Sequence, residues 1–244
     1  MTIIQIIILI TAAGIGGAGA WFLRNKTHSE FLNILLSFSG AYLLGVVVLH
    51  LLPEVFAQTV QTTTAHAHNY SIAIFILLGF FIQLIIVQFT RGIEHGHMHL
   101  HEHLSKGYVF GVLFGLGVHA FMEGLPLADR SNDMHAVYWA IVLHKIPETF
   151  ALATVLFFSY KNSVTASVLI LFFALLTPLG SFAGKYLSED AAINMHILIA
   201  IVCGSLIHIS TTIIFEASGK AHKISLYKFL AIVVGAAISL LTLE

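Results

Sequence analysis

Charge is what this chain has least of. Only 9% of its 244 residues are charged and 58% are hydrophobic, against about 25% charged in ordinary globular chains. No long polar region remains that could hold a separate soluble domain. The formal net charge is −1, and no basic stripe or aromatic platform offers a surface to nucleic acid. Cysteine occurs once, as Cys203 inside an apolar run, which excludes a disulfide framework and a thiolate metal site. His-Glu-x-x-His, the signature of a zinc hydrolase helix, is absent. No basic leader or small-residue cleavage site marks the start, so Met1 to Leu23 reads as a retained first span.

What is abundant is apolar sequence in long runs. Stretches able to cross a hydrocarbon core of roughly 30 Å occur at about 3–23, 31–58, 70–90, 108–128, 135–158, 164–187, 192–216 and 224–242. The expectation is an all-α membrane protein, an eight-transmembrane-helix bundle forming one domain over residues 1–244. Lys and Arg orient it. The odd-numbered connections hold Arg24, Lys26, Arg91, Lys106, Lys161, Lys220, Lys223 and Lys228, whereas the others hold only Arg130 and Lys185. That asymmetry places the odd connections in the cytoplasm and both termini outside. The compact, leaderless chain suggests a plasma membrane, a bacterial inner membrane in particular.

Against this background a few ionisable residues stand out, because hydrocarbon makes such groups expensive. His144, Lys145 and Glu148 fall within five residues of the fifth run, and His119 and Glu123 lie in the fourth. Each His–Glu pair is spaced i, i+4 and so shares one helix face. At a rise of about 1.5 Å per residue, Glu123 and His119 lie roughly 9 and 15 Å from the outer end of their span. His144 and Glu148 lie roughly 14 and 20 Å from theirs, so the pairs overlap near the midplane. A lone buried histidine is usually a packing residue. Two His–Glu pairs at matching depth on adjacent spans instead suggest a divalent-cation site. Imidazole and carboxylate suit zinc, iron(II), manganese, cobalt or nickel.

All four prolines, Pro53, Pro126, Pro147 and Pro178, fall inside these spans. Pro147 frees the carbonyl of Leu143 beside His144, a group that lipid cannot satisfy. Glycines of the first span (Gly14, Gly16, Gly17, Gly19) and the fourth (Gly111, Gly115) predict close helix packing.

The arrangement resembles the ZIP (Zrt/Irt-like) family of metal transporters over the whole chain. The residues that carry the likeness are His119-x-x-x-Glu123-Gly124 and His144-x-x-Pro147-Glu148, with a His-rich third connection between eight spans. Membership implies a 3+2+3 bundle, with spans one to three and six to eight as inverted repeats around the fourth and fifth. It also implies transport of divalent metal into the cytoplasm, with zinc foremost and His119, Glu123, His144 and Glu148 as the main site. The metal would be bound as substrate, with no organic cofactor. Many members hold a second metal, through an Asn after the fourth-span His and an acidic or amide residue before Ile-Pro-Glu. In some, a carboxylate also precedes the sixth-span proline. Here those positions are Ala120, Lys145 and Thr177, which predicts a single-metal site with the Lys145 ammonium in place of the missing cation. The rival placement turns Lys145 away from the site.

Other residues are weaker candidates. His95, His97, His99, His101 and His103, within a cytoplasmic loop at 91–107, would bind divalent metal weakly in almost any conformation; the alternative is a dispensable loop. His50 and Glu54, around Pro53, echo the fifth-span motif and are candidates for the outer pathway, or for a stabilising pair between helices. His66 and His68 could gather metal outside, or be merely solvated. His208 and Glu216 are candidates for the exit, although His208 alone reads as a packing residue. A membrane-embedded zinc hydrolase and a metal-binding sensor are the alternative functions. Beyond metal ions and lipid, the partner expected is a second copy in a homodimer, which no motif specifies.

Overall fold

The computed structural model describes residues 1–23, 29–60, 67–90, 104–128, 134–160, 162–189, 193–216 and 224–242. Among them every regular element is helical, as lipid requires of a backbone that must satisfy its own hydrogen bonds. Helix α1 spans Ile3–Leu23, and α2 (Ser29–Val46) passes through a π turn (Val47–Leu51) into α3 (Leu52–Val60). These last three together make the second apolar span. They are followed by α4 (Ala67–Thr90), α5 (Lys106–Gly124) with a closing 3-10 turn (Leu125–Ala128), and α6 (Met134–Ser159). Helices α7 (Ser163–Glu189), α8 (Met195–Glu216) and α9 (Leu226–Leu241) complete the described chain. Among the described residues, seven spans are long and apolar enough to cross a membrane. The eighth predicted span is the shorter α9, whose 16 residues reach about 24 Å. The fold is therefore an integral, multi-pass bundle of apolar helices.

The prolines mark local departures from regular helix. Pro53 cannot donate to a carbonyl one turn back, and the π turn lies immediately before it, with Leu52 N–H bonded to Val47 O. Such turns are rare and cluster at functional positions. Pro126 sits in the 3-10 turn, so α5 ends at Gly124 instead of continuing as α-helix. Pro147 and Pro178 lie within α6 and α7.

Burial ranks the helices. In α6, 72% of the apolar window is buried, in α4 only 22%. Helix α6 is central, whereas α4 shows Ile74, Leu77, Phe81 and Ile85 to the lipid. The main pairings are α2 with α9, α4 with α8, α1 with α6, and α5 with α7. Glycine sets two of them. A Cβ on Gly204 would run into the carbonyl of Ile76, and one on Gly79 into that of Ile201. Between α5 and α7, Gly124 faces the Thr177 carbonyl and Gly180 that of Phe121. Backbones this close leave no room for a side chain. Of the first-span glycines, Gly16 lies against the Ile146 carbonyl of α6, but Gly14 faces open space.

Two apolar layers divide the interior. One joins Leu43, Val47, Leu51, Leu127, Ile141 and Leu206. The other joins Leu36, Leu116, Leu152, Leu156 and Phe173. A cavity of about 450 Å³ lies beyond the first layer, bordered by Met1, Ala128, Lys185 and Met195. It places the start of α1, the end of the α5 span and the start of α8 on one face, as an even number of crossings requires.

Candidate metal centre

Where α5 and α6 pass between the two apolar layers, they carry their polar residues. The sequence order shows this directly. On α6, Ile141 belongs to one layer and Leu152 to the other, with His144, Lys145 and Glu148 between. Along α5 and its closing 3-10 turn, Leu116 and Leu127 bracket His119 and Glu123 in the same way. All five residues are essentially inaccessible, at 0–1% exposure.

The structure gathers three of the four proposed ligands, His119, Glu123 and His144, and sets the fourth, Glu148, against His119. His119 Nε2 lies 2.9 Å from Glu123 Oε1 and 3.8 Å from Glu148 Oε1, and His144 Nε2 lies 4.0 Å from Glu123 Oε1. Ligand atoms of His119, Glu123 and His144 all fall within 4.8 Å of one another. The two imidazoles meet edge to face, centroids 6.0 Å apart. A tetrahedral ion with bonds of about 2.1 Å separates its ligands by roughly 3.4 Å, which the observed separations straddle.

Lys145 points into this cluster. Its Nζ donates to Glu123 Oε2 at 3.2 Å and to Glu148 Oε2 at 2.6 Å. Each carboxylate is thereby split: Oε2 faces the ammonium, while Oε1 faces the imidazoles. Both Oε1 atoms are buried without a well-directed hydrogen bond. Buried acceptors left in that state are costly, and a cation is the natural complement. The Phe173 ring backs the ammonium from α7, with its centroid 5.0 Å from Nζ. Ala120 is buried, and Thr177, also buried, has an unpartnered hydroxyl.

One contributor was not foreseen from the sequence. Ser39 of α2 places its hydroxyl 3.2 Å from the Leu36 carbonyl and 3.4 Å from His144 Nδ1. A hydroxyl has one hydrogen. Given to Leu36, it leaves the oxygen to accept from Nδ1–H, and the Nε2 lone pair then faces the carboxylates. Outer partners of this kind orient a ligating histidine and are worth 10–100-fold in metal affinity. A buried serine in an apolar span was the only available signal, and Ser37 shares it. Ser39→Ala is expected to weaken zinc binding by about tenfold without unfolding the protein, as calorimetric titration would show.

The remaining candidates lie elsewhere. His50, in the π turn, reaches Thr242 beyond α9 at 3.1 Å, and Glu54 is half-buried on α3. His208 packs edge-on against Phe80 of α4, centroids 4.8 Å apart, and is not among the groups that converge on His119 and His144. Glu216 ends α8, but its side chain, like that of His68, is outside the described residues. His66 and the loop histidines from His95 to His103 also lie outside them.

Residues 94–242, which include α5 to α9 and His119, Glu123, His144 and Glu148, match the family profile described as ZIP zinc transporter. This chain belongs to the ZIP family. Similar ZIP proteins include zinc transporter ZIP9-A of Xenopus laevis, 26% identical over 189 residues, covering 67% of this chain and 60% of the frog protein. Zinc transporter SLC39A7 of Rattus norvegicus is 34% identical over 88 residues, covering 32% of this chain and 19% of the rat protein. Protein zntC of Dictyostelium discoideum is 27% identical over 106 residues, covering 40% and 26%. The chain thus spans between a fifth and three fifths of these relatives' lengths.

Proposed function

We propose that this ZIP-family chain carries divalent transition-metal ions, zinc foremost, across a membrane into the cytoplasm. The observation that carries the reading is the convergence of His119, Glu123 and His144, with Glu148 Oε1 3.8 Å from His119 Nε2, between apolar layers. The names of the similar proteins, two of them zinc transporters, favour zinc. A single ion sits among the four, and Lys145 occupies the place of a second. With neutral imidazoles the empty cluster carries one net negative charge, from two carboxylates and one ammonium. A divalent ion turns this into one net positive charge. Neither state strays far from neutrality, which suits a site that must release what it binds.

The helix pairings support a 3+2+3 architecture with inverted repeats. Exchanging spans one to three for six to eight, and the fourth for the fifth, turns the α2–α9 pairing into α8–α4. The same exchange turns α1–α6 into α7–α5, and all four pairings occur. Alternating access between such repeats would open the buried site to one side at a time. His50 and Glu54 then belong to the outer pathway, and His208 and Glu216 to the inner one. The loop at 91–107 would act as a cytoplasmic catch. The excess of Lys and Arg in the odd connections keeps both termini outside. A hydrolase needs an open coordination position for water, and four protein ligands leave none.

Purified protein in liposomes loaded with a zinc-sensitive dye tests the reading. Zinc entry well above that into empty liposomes is expected. Tight zinc binding without entry would replace transport with sensing.

A further inference from the structure

We propose that Lys145 determines which ions the site accepts. By holding one oxygen of each carboxylate, it confines Glu123 and Glu148 to single-oxygen coordination and so restricts the site to small, four-coordinate cations. The inference rests on the reading above that an ion occupies this cluster.

A carboxylate can ligate through one oxygen or both. Large hard cations take six to eight oxygens and commonly draw carboxylates in bidentate fashion. Zinc is content with four ligands in a tetrahedron. In this site the second oxygens of Glu123 and Glu148 are already engaged by Nζ, at 3.2 and 2.6 Å. Nor can the ammonium withdraw. The lysine side chain is 1% exposed, and the wholly buried Phe173 ring stands 5.0 Å from Nζ. Turning either carboxylate to offer both oxygens would leave a buried cation short of an acceptor, which is strongly unfavourable. What remains for the substrate is two nitrogens and two single oxygens. That donor set fits zinc, cobalt or iron(II) and disfavours ions that need more ligands. The ammonium also repels a second cation from the Oε2 side.

Cobalt(II) reads the coordination number directly, because its visible bands are intense in four-coordinate sites and weak in six-coordinate ones. Cobalt added to the purified protein is expected to give the intense spectrum. In Lys145→Met, which removes the charge while keeping an unbranched side chain, the bands are expected to weaken as both carboxylates become bidentate. Cadmium binding should then improve relative to zinc by about tenfold or more, measured by competition titration. A weak, six-coordinate spectrum in the parent would overturn the proposal. So would an unchanged spectrum and cadmium-to-zinc ratio in Lys145→Met. Should that variant not fold, the parent spectrum decides alone. His119→Ala separates this idea from the assignment of the site: a parental cobalt spectrum there would place the ion elsewhere and remove the basis for both. A four-coordinate spectrum without zinc entry into liposomes would sink transport and leave the role of Lys145 standing.

Discussion

His144→Ala is expected to reduce zinc entry into liposomes by about 100-fold or more while leaving the protein folded. Loss of even an outer partner of a ligating histidine costs 10–100-fold in affinity, and His144 supplies a donor atom itself. Its Nε2 is one of two nitrogens facing the Oε1 atoms, so the variant retains three ligands and no longer closes a tetrahedron. The removed imidazole is taken as neutral, and the pairing of Lys145 with Glu123 and Glu148 survives unchanged. Glu148→Ala should abolish entry equally but for two reasons, because it also takes from Lys145 its shorter ion pair. A comparison of the two variants by flux and by thermal unfolding separates ligand loss from charge imbalance. Parental flux in His144→Ala would place the substrate somewhere else.

Lys145→Met is expected to destabilise the metal-free protein by about 3–5 kcal/mol, the usual cost of removing one partner from a buried ion pair. The reason is geometric. Glu123 and Glu148 both approach the same imidazole, with Oε1 atoms 2.9 and 3.8 Å from His119 Nε2, and Nζ bridges their Oε2 atoms. Without it two carboxylates share an apolar interior at 1% exposure. Zinc should recover more stability in this variant than in the parent, because the ion then meets two uncompensated charges. The buried Cys203 thiol provides the readout: its labelling by a maleimide dye during heating follows opening of the bundle. A melting point unchanged from the parent would show that the lysine neutralises nothing.

Of the residues that the sequence singled out, His119, Glu123 and His144 cluster and Glu148 approaches His119, and helical geometry explains why. An i, i+4 pair lies on one face in any helix. Two such pairs at equal depth on consecutive spans need only face each other, and the Gly124–Gly180 approach draws the α5 span in beside α7. The direction of Lys145 is different. Its position next to His144 places it about 100° around the helix axis, where it could have met lipid, a neighbour or the cluster. The packing of α7 decides, through Phe173.

The amino-acid sequence by itself determined the class of the molecule, an all-helical bundle of apolar spans, and the shared helix face of each His–Glu pair, since these follow from hydrophobicity, run length and residue spacing alone. Which face of each helix turns inward was decided by tertiary structure. The outer spans are apolar all round, because lipid and protein interior reward the same side chains, so their sequence holds no contrast between buried and exposed. That is why Ser39 appears as a partner of His144 only once α2 is set beside α6. It is also why His208 is found against Phe80 of α4 and why the glycines that govern the tightest crossings, Gly79 with Gly204 and Gly124 with Gly180, include three outside the spans where sequence had sought them.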